Sequence, residues 1–313
     1  MFAPKHFFRT ALLSTLVLLA CNNPNKVSPR NFADKGNMPL ANPKAVTFVE
    51  NADKTIESSQ SLYQENFEQL LNISSDTVSF DKTLQSKYKN TKPIQWGGDV
   101  AGVKHRLNTY DAVIALTLDA CGGSKGSAYD KDLIDFLIQQ NICATLFLNS
   151  RWIDANPKIF KSLSKNPLFE IENHGYTHKP LSVSGKSAFN IKGTGNIQEV
   201  IDEVQLNSKK ILTITGRKPK FFRPGTAYCD ELAVKIVKEL GEEVVSFSVI
   251  GDAGATYSKD QVKKACLDSS NGSIIICHMN HPEKDTAEGL KLALPELIKR
   301  GIRFVKLEDY SLK

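Results

Sequence analysis

The run Val113-Ile-Ala-Leu-Thr-Leu118 leads into Asp119-Ala-Cys-Gly-Gly123, then into the helical pattern of Asp130–Gln140, then into a second apolar run, Ile142-Cys-Ala-Thr-Leu-Phe-Leu148. Leu133, Ile134, Leu137 and Ile138 fall on one face of the intervening segment, so the stretch reads as strand, helix, strand. The rhythm repeats in short β-branched runs at Leu168–Glu172, Lys220–Phe222, Val244–Ile250, Ser273–Cys277 and Ile302–Leu307, with a further helix over Glu231–Leu240. Asp285-Thr-Ala-Glu288 reads as a capping box for the last helix, Gly301 as its closure and Pro295 as a kink or break within it. Seven strands alternating with six helices imply a parallel sheet. Closed, it is an incomplete (β/α) barrel; open, it is doubly wound.

Titratable residues gather where the strands end. Asp119 ends the first and His174 the third, with His178 four residues on; Arg223 ends the fourth, Asp252 follows the fifth, and His278 ends the sixth. The C-terminal strand ends form the active-site face of parallel α/β folds. His174 and His178 place two imidazoles within reach of one divalent cation and suit zinc, or else form a structural pair. A metal there would polarise a carbonyl and acidify water. Asp119 is then placed to take a water proton and His278 to protonate a departing amine. Arg223 would orient Asp119, or form a surface ion pair. Asp252 would keep His278 protonated, or cap a helix.

Ahead of this region the chain changes character. Lys5 and Arg9 precede the apolar run Ala11–Ala20, the layout of a secretory signal over residues 1–20. Residues 21–45 are rich in Asn and Pro and read as a tether. Within 46–94, Ile56, Tyr63, Phe67, Leu70 and Leu71 mark an amphipathic helix over residues 52–73, and 74–94 reads as a polar connector; the main domain spans 95–313. Loss of Lys5 and Arg9 takes the formal net charge from +6 to +4. No basic block points to nucleic acid. Five cysteines follow Cys21, namely Cys121, Cys143, Cys229, Cys266 and Cys277, an odd number that leaves at least one unpaired within the chain. Without a CxxC pair, a cysteine-built zinc site is not expected. Cys121 and Cys229 both follow strand ends on one face, so they either form a bridge across it or remain thiols.

The segment from Ala115 to Lys306 resembles the polysaccharide deacetylase (NodB-homology) family. Thr117-Leu-Asp-Ala120 is similar to its first motif, Thr-Phe-Asp-Asp, whose first Asp is the base. Glu172-Asn-His-Gly-Tyr-Thr-His178 resembles the metal-binding His-x3-His motif. Phe222-Arg-Pro-Gly225 resembles the third motif, Gly251-Asp-Ala253 the fourth and Ile276-Cys-His278 the fifth, which carries the catalytic histidine. The resemblance implies a distorted (β/α)7 barrel, here preceded by a tether and an amphipathic helix, and divalent-metal-dependent removal of N-acetyl groups from a glycan. Leu18-Leu-Ala-Cys21 resembles a bacterial lipobox, which implies a lipidated Cys21 and a membrane-anchored position in the cell envelope, facing outside the cytoplasm.

The departures carry consequences. Ala120 stands where the family has its third metal ligand, Gly225 and Thr226 where it has a Pro-aromatic pair, and Ala253 where an aromatic is common. The expectation is a two-histidine site completed by solvent, with Asp119, Asn280 or His281 as alternatives, and tightened by Ala120→Asp. Asp119→Asn and His278→Ala are expected to stop turnover and spare the fold, because strand-end side chains face solvent. The competing functions are a glycan-binding lipoprotein on a degenerate barrel and a hydrolase of small amides or esters.

Overall fold

The computed structural model describes residues 79–313. The signal, the tether, the helix expected over 52–73 and residues 74–78 lie outside the described residues. The polar segment read as a connector contains a helix, α1 (residues 79–88), which docks through Leu84 and Tyr88. Leu84 is buried against Val200, Ala233 and Val237, worth roughly 2 kcal/mol, and Tyr88 hydrogen-bonds Glu239. Two anchoring residues in a polar background leave little periodic signal.

The elements then alternate as expected: β1 (Val113–Ala120), α2 (Lys131–Gln139), β2 (Ala144–Leu148), α3 (Ser150–Ala155), α4 (Pro157–Leu163) and β3 (Phe169–Asn173). A two-stranded excursion follows, β4 (Ser187–Ala188) and β5 (Ile191–Lys192), then α5 (Ile197–Thr215) and β6 (Phe221–Phe222). The chain ends with α6 (Glu231–Glu239), β7 (Glu243–Val244), β8 (Val249–Ile250), α7 (Lys259–Leu267), β9 (Ser273–His278), α8 (Thr286–Lys299) and β10 (Arg303–Val305).

The sheet is wholly parallel, in the order β7-β6-β3-β2-β1-β9-β8, with β10 against the start of β1. Strands β7 and β8 are two halves of one bent run. Val245 N–H still donates to Phe222 O on the β6 side, whereas Ser248 N–H already donates to Ile274 O on the β9 side. Counting that run as one strand gives the seven strands of a distorted (β/α)7 barrel, with helices outside the sheet.

Every residue of β1 is buried, as a central parallel strand covered on both faces must be. Leu116, Leu118 and Ala120 pack with the helices, and Val113 and Ala115 with the interior around Phe147, Phe221 and Val305. Asp130, Asn196, Asp230 and Ser258 each accept a first-turn amide, the usual remedy for the free N–H groups of a helix start. The last helix departs from expectation. Asp285 makes no side-chain cap and accepts from Lys259 N instead, so the capping box does not form. Helix α8 runs unbroken through Pro295, and Gly301 closes it at φ +86°. Among the described residues no helix is long and apolar enough to cross a membrane.

Candidate active site

A cavity of about 400 Å³ opens at the C-terminal ends of the strands, lined by Asp119, Cys121, His174, His178 and His278 together with the apolar residues Phe247, Ile250 and Ile276. Asp119 and His278 are opposite each other in the β1–β9 register. Each has a buried partner of opposite charge, on a different strand end.

Behind Asp119 lies Arg223, 0% exposed, so the reading of a surface ion pair is wrong. Its Nη1 donates to Asp119 Oδ1 at 2.6 Å and to Thr117 Oγ1 at 2.9 Å, while Nε and Nη2 donate to the carbonyls of Val245 and Ser246. The guanidinium also stacks on Phe147, 4.0 Å from the ring centre. Burial holds Arg223 below its usual value, and Asp119 opposes that shift.

Asp252 is no helix cap. Its Oδ1 meets His278 Nδ1 at 2.9 Å, and its Oδ2 accepts His278 N–H at 2.7 Å and Thr286 Oγ1–H at 3.0 Å. Burial works against the charge on His278, but Asp252 outweighs it and holds the imidazole well above its ordinary range. In return, burial would raise Asp252, yet His278 keeps it low.

The two other histidines are fixed from below. Asn173 Nδ2 donates to Val204 O and Glu242 Oε2, and its Oδ1 accepts from Asn207 Nδ2 and Gly175 N. Burial pushes Glu242 up to about 8, so this network carries a protonated carboxyl near neutrality. His174 Nδ1 lies 2.8 Å from Arg223 O; a carbonyl only accepts, so Nδ1 carries the hydrogen and Nε2 faces the cavity. The loop to His178 wraps the Glu203 carboxylate, which accepts the amides of Thr177 and Lys179 and the Thr177 hydroxyl. A Cβ at Gly175 would run into that carboxylate, and one at Gly225 would run into the His178 carbonyl. Gly225, a departure from the family pattern, is thus required by this close approach.

Cys121 is the residue that the sequence reading missed. Its Sγ is 3.8 Å from His174 Nε2, and one donor atom from each of Cys121, His174 and His178 lies within 4.8 Å of the others. Burial would raise the Cys121 thiol, but the field of His178 and hydrogen bonds to the surrounding imidazoles take it well below its ordinary value. This nitrogen–sulfur donor set fits zinc chemistry. Of the alternatives considered for the third ligand, Asp119 lies at the site, its Oδ2 3.5 Å from His174 Nε2, whereas Asn280 Nδ2 donates to Gly126 O and His281 pairs with Glu283. Ala120 is 0% exposed and packs in the core under the helices. No bridge joins Cys121 to Cys229. Both are free, and Cys229 is buried with its thiol pushed up to about 12.

At the strand ends of this parallel barrel a carboxylate and an imidazole thus face each other beside three side chains that could hold a metal ion. Residues 106–245 match the model described as polysaccharide deacetylase. The chain is 26% identical over 210 residues to the peptidoglycan-N-acetylmuramic acid deacetylase PdaA of Bacillus subtilis, covering 64% of this chain and 72% of the relative. It is 25% identical over 203 residues to a peptidoglycan-N-acetylglucosamine deacetylase of Bacillus cereus, covering 64% and 88%. The crystal structure of a carbohydrate esterase family 4 pseudoenzyme from Bacillus anthracis superposes with a TM-score of 0.56 at 20% identity, over 68% of this chain and 69% of that one. That last likeness speaks to the fold alone.

Proposed function

We propose that this chain is a metal-dependent carbohydrate deacetylase, a hydrolase of amide carbon–nitrogen bonds that removes N-acetyl groups from a cell-envelope or extracellular polysaccharide. The observation that carries the reading is the pairing of Asp119 and His278 across β1 and β9, each with its own buried counter-charge. Amide hydrolysis needs a base for the attacking water and an acid for the departing amine. The Asp119 carboxylate, oriented by the guanidinium, is placed to accept a proton; an imidazole backed by a carboxylate stays protonated and donates one. Arg223 and Asp252 orient these two groups. A divalent ion, zinc by the donor set, would be held at His174 and His178 and would supply Lewis acidity to the acyl oxygen and to water.

The cavity wall supports an acetyl group on a sugar. Phe247, Ile250 and Ile276 offer apolar surface for a methyl group. Phe189, at the tip of the β4–β5 excursion, is 72% exposed at the rim and stands edge-on to Tyr228, a ring placed to stack on a pyranose face. The peptidoglycan deacetylases among the relatives support the glycan class.

The test is acetate release from N-acetylglucosamine oligomers and from peptidoglycan, before and after chelation and zinc return. Release that falls with chelation and recovers with zinc is expected. Tight glycan binding with no release would replace the reading with that of a binding barrel. We also infer that an acylated Cys21 holds the protein at a bacterial membrane, a reading supported by the lipobox-like Leu18-Leu-Ala-Cys21. A Cys21→Ser variant that stayed in the membrane fraction would remove the anchor.

A further inference from the structure

Thr117 and Asp119 face the barrel interior from β1, where both meet Arg223, whereas Leu116, Leu118 and Ala120 pack under the helices. Cys121 continues the inward-facing series just past the strand end. Its position is fixed on both sides. Arg151 Nη2 donates to Cys121 O at 3.1 Å, and the next residue, Gly122, turns in the left-handed region at φ +70°. A Cβ there would lie 2.6 Å from Trp152 N, so the turn that presents the sulfur needs glycine. Cys121 is also free rather than disulfide-bonded.

The other anionic group at the site has one of its two oxygens already engaged. Asp119 Oδ1 belongs to the Arg223 pair at 2.6 Å, and its Oδ2 lies 3.5 Å from His174 Nε2. Ligand atoms around tetrahedral zinc, at bonds of about 2.0 Å to nitrogen and 2.3 Å to sulfur, stand roughly 3.3–3.5 Å apart. The sulfur-to-imidazole distance of 3.8 Å is close to that spacing.

We propose that the Cys121 thiolate is the third protein ligand beside His174 and His178, making a two-nitrogen, one-sulfur centre for thiophilic divalent metals. This rests on the reading of the two histidines as metal-binding residues. Binding breaks the S–H bond, forms a sulfur–metal bond and releases the proton to solvent. The sulfur supplies the negative charge that Ala120 cannot, and Asp119 is left free of the metal. Such a centre favours zinc and cobalt over magnesium, calcium and manganese, whose preferred ligands are oxygens.

The experiment is a cobalt(II) titration of metal-free, full-length protein, followed by absorption with no substrate present. The wild type is expected to show ligand-field bands with a near-ultraviolet thiolate-to-cobalt charge-transfer band, saturating together. Cys121→Ala is expected to lose the charge-transfer band and bind cobalt at least about a hundredfold more weakly, since even outer-sphere partners of metal ligands account for 10–100-fold. Cys121→Asp is expected to regain affinity without the band, which separates a lost ligand from a lost fold. Ligand-field bands without charge transfer in the wild type would overturn the assignment, as would unchanged affinity in Cys121→Ala. Turnover that survives chelation and is abolished by iodoacetamide would make Cys121 a nucleophile and also overturn it. The charge-transfer band without acetate release keeps the centre and removes the deacetylase reading; acetate release without the band does the reverse.

Discussion

Replacing Asp119 by Asn removes a charge that the fold uses as well as the chemistry. Asp119 is 2% exposed and Arg223 0%, with 2.6 Å between Nη1 and Oδ1. At an effective dielectric near 20 the gross attraction at that separation is on the order of 6 kcal/mol. The guanidinium cannot shed its proton, so Asp119→Asn leaves a buried cation facing a neutral amide. Removing one partner of such a pair costs about 3–5 kcal/mol. Hydrogen bonds from Arg223 to Thr117, Val245 and Ser246 survive and keep the loss near the lower end. Arg223→Met removes the cation but strips Asp119 and two carbonyls of their donor, each carbonyl worth about 1–3 kcal/mol. In Asp119→Asn/Arg223→Met no unpaired charge remains, so the double variant should cost less than the sum of the singles by about 2 kcal/mol or more. Urea unfolding of the four metal-free proteins at pH 7 measures this, alongside loss of acetate release in each variant. The expectation from sequence, that a strand-end Asp can be altered without harm to the fold, is reversed here. Asp119→Asn within about 1 kcal/mol of wild type, or strictly additive effects, would refute the argument.

Asp252→Asn should lower the proton affinity of His278, because burial then acts without the opposing carboxylate. As the proposed acid works only when protonated, the alkaline limb of kcat/KM should move to lower pH and activity at pH 7 should fall about 10²–10⁴-fold; an unmoved limb would contradict the role. Glu242 rises from 4.5 to about 8, so its contribution to stability is fully present below pH 4.5 and is lost as pH climbs through 8. Glu242→Gln should flatten that window, worth on the order of 5 kcal/mol, and an unchanged slope in urea melts from pH 5 to 8.5 would count against a protonated Glu242.

The strands were legible because parallel strands covered on both faces are largely apolar, and β1, β2 and β9 are near-continuous buried runs with few polar residues. The run Val244–Ile250 also counted correctly as one strand, although only its ends pair regularly. What escaped was held by few apolar residues. Helix α1 rests on Leu84 and Tyr88, and the β4–β5 excursion turns through Phe189 and Asn190, both at positive φ without a glycine to mark the turn. The capping box at Asp285 failed for a tertiary reason. Its carboxylate has a better-placed donor in the first amide of α7, and local propensity yields to that contact.

At the site, the residues found from sequence end strands, where parallel topology alone sends side chains to one face. Cys121 was passed over because it was weighed as a member of a cysteine pair, and its nearest partners are histidines on another strand end. The period-two alternation of β1 already contained the answer. If Thr117 and Asp119 face inward, Ala120 faces the helices and the next inward residue is 121. A ligand lost at 120 is therefore not restored by a carboxylate at 120 in this backbone. Ala120 is 0% exposed in a layer shared with Leu118 and Leu148, and an Asp side chain there would have neither water nor a cation. Burial opposes the rescue expected of Ala120→Asp, since an unpaired buried carboxylate costs several kcal/mol before any metal is counted. Position 121 meets both demands, an anionic donor and an inward direction, and the glycine at 122 gives the chain the turn that holds it there.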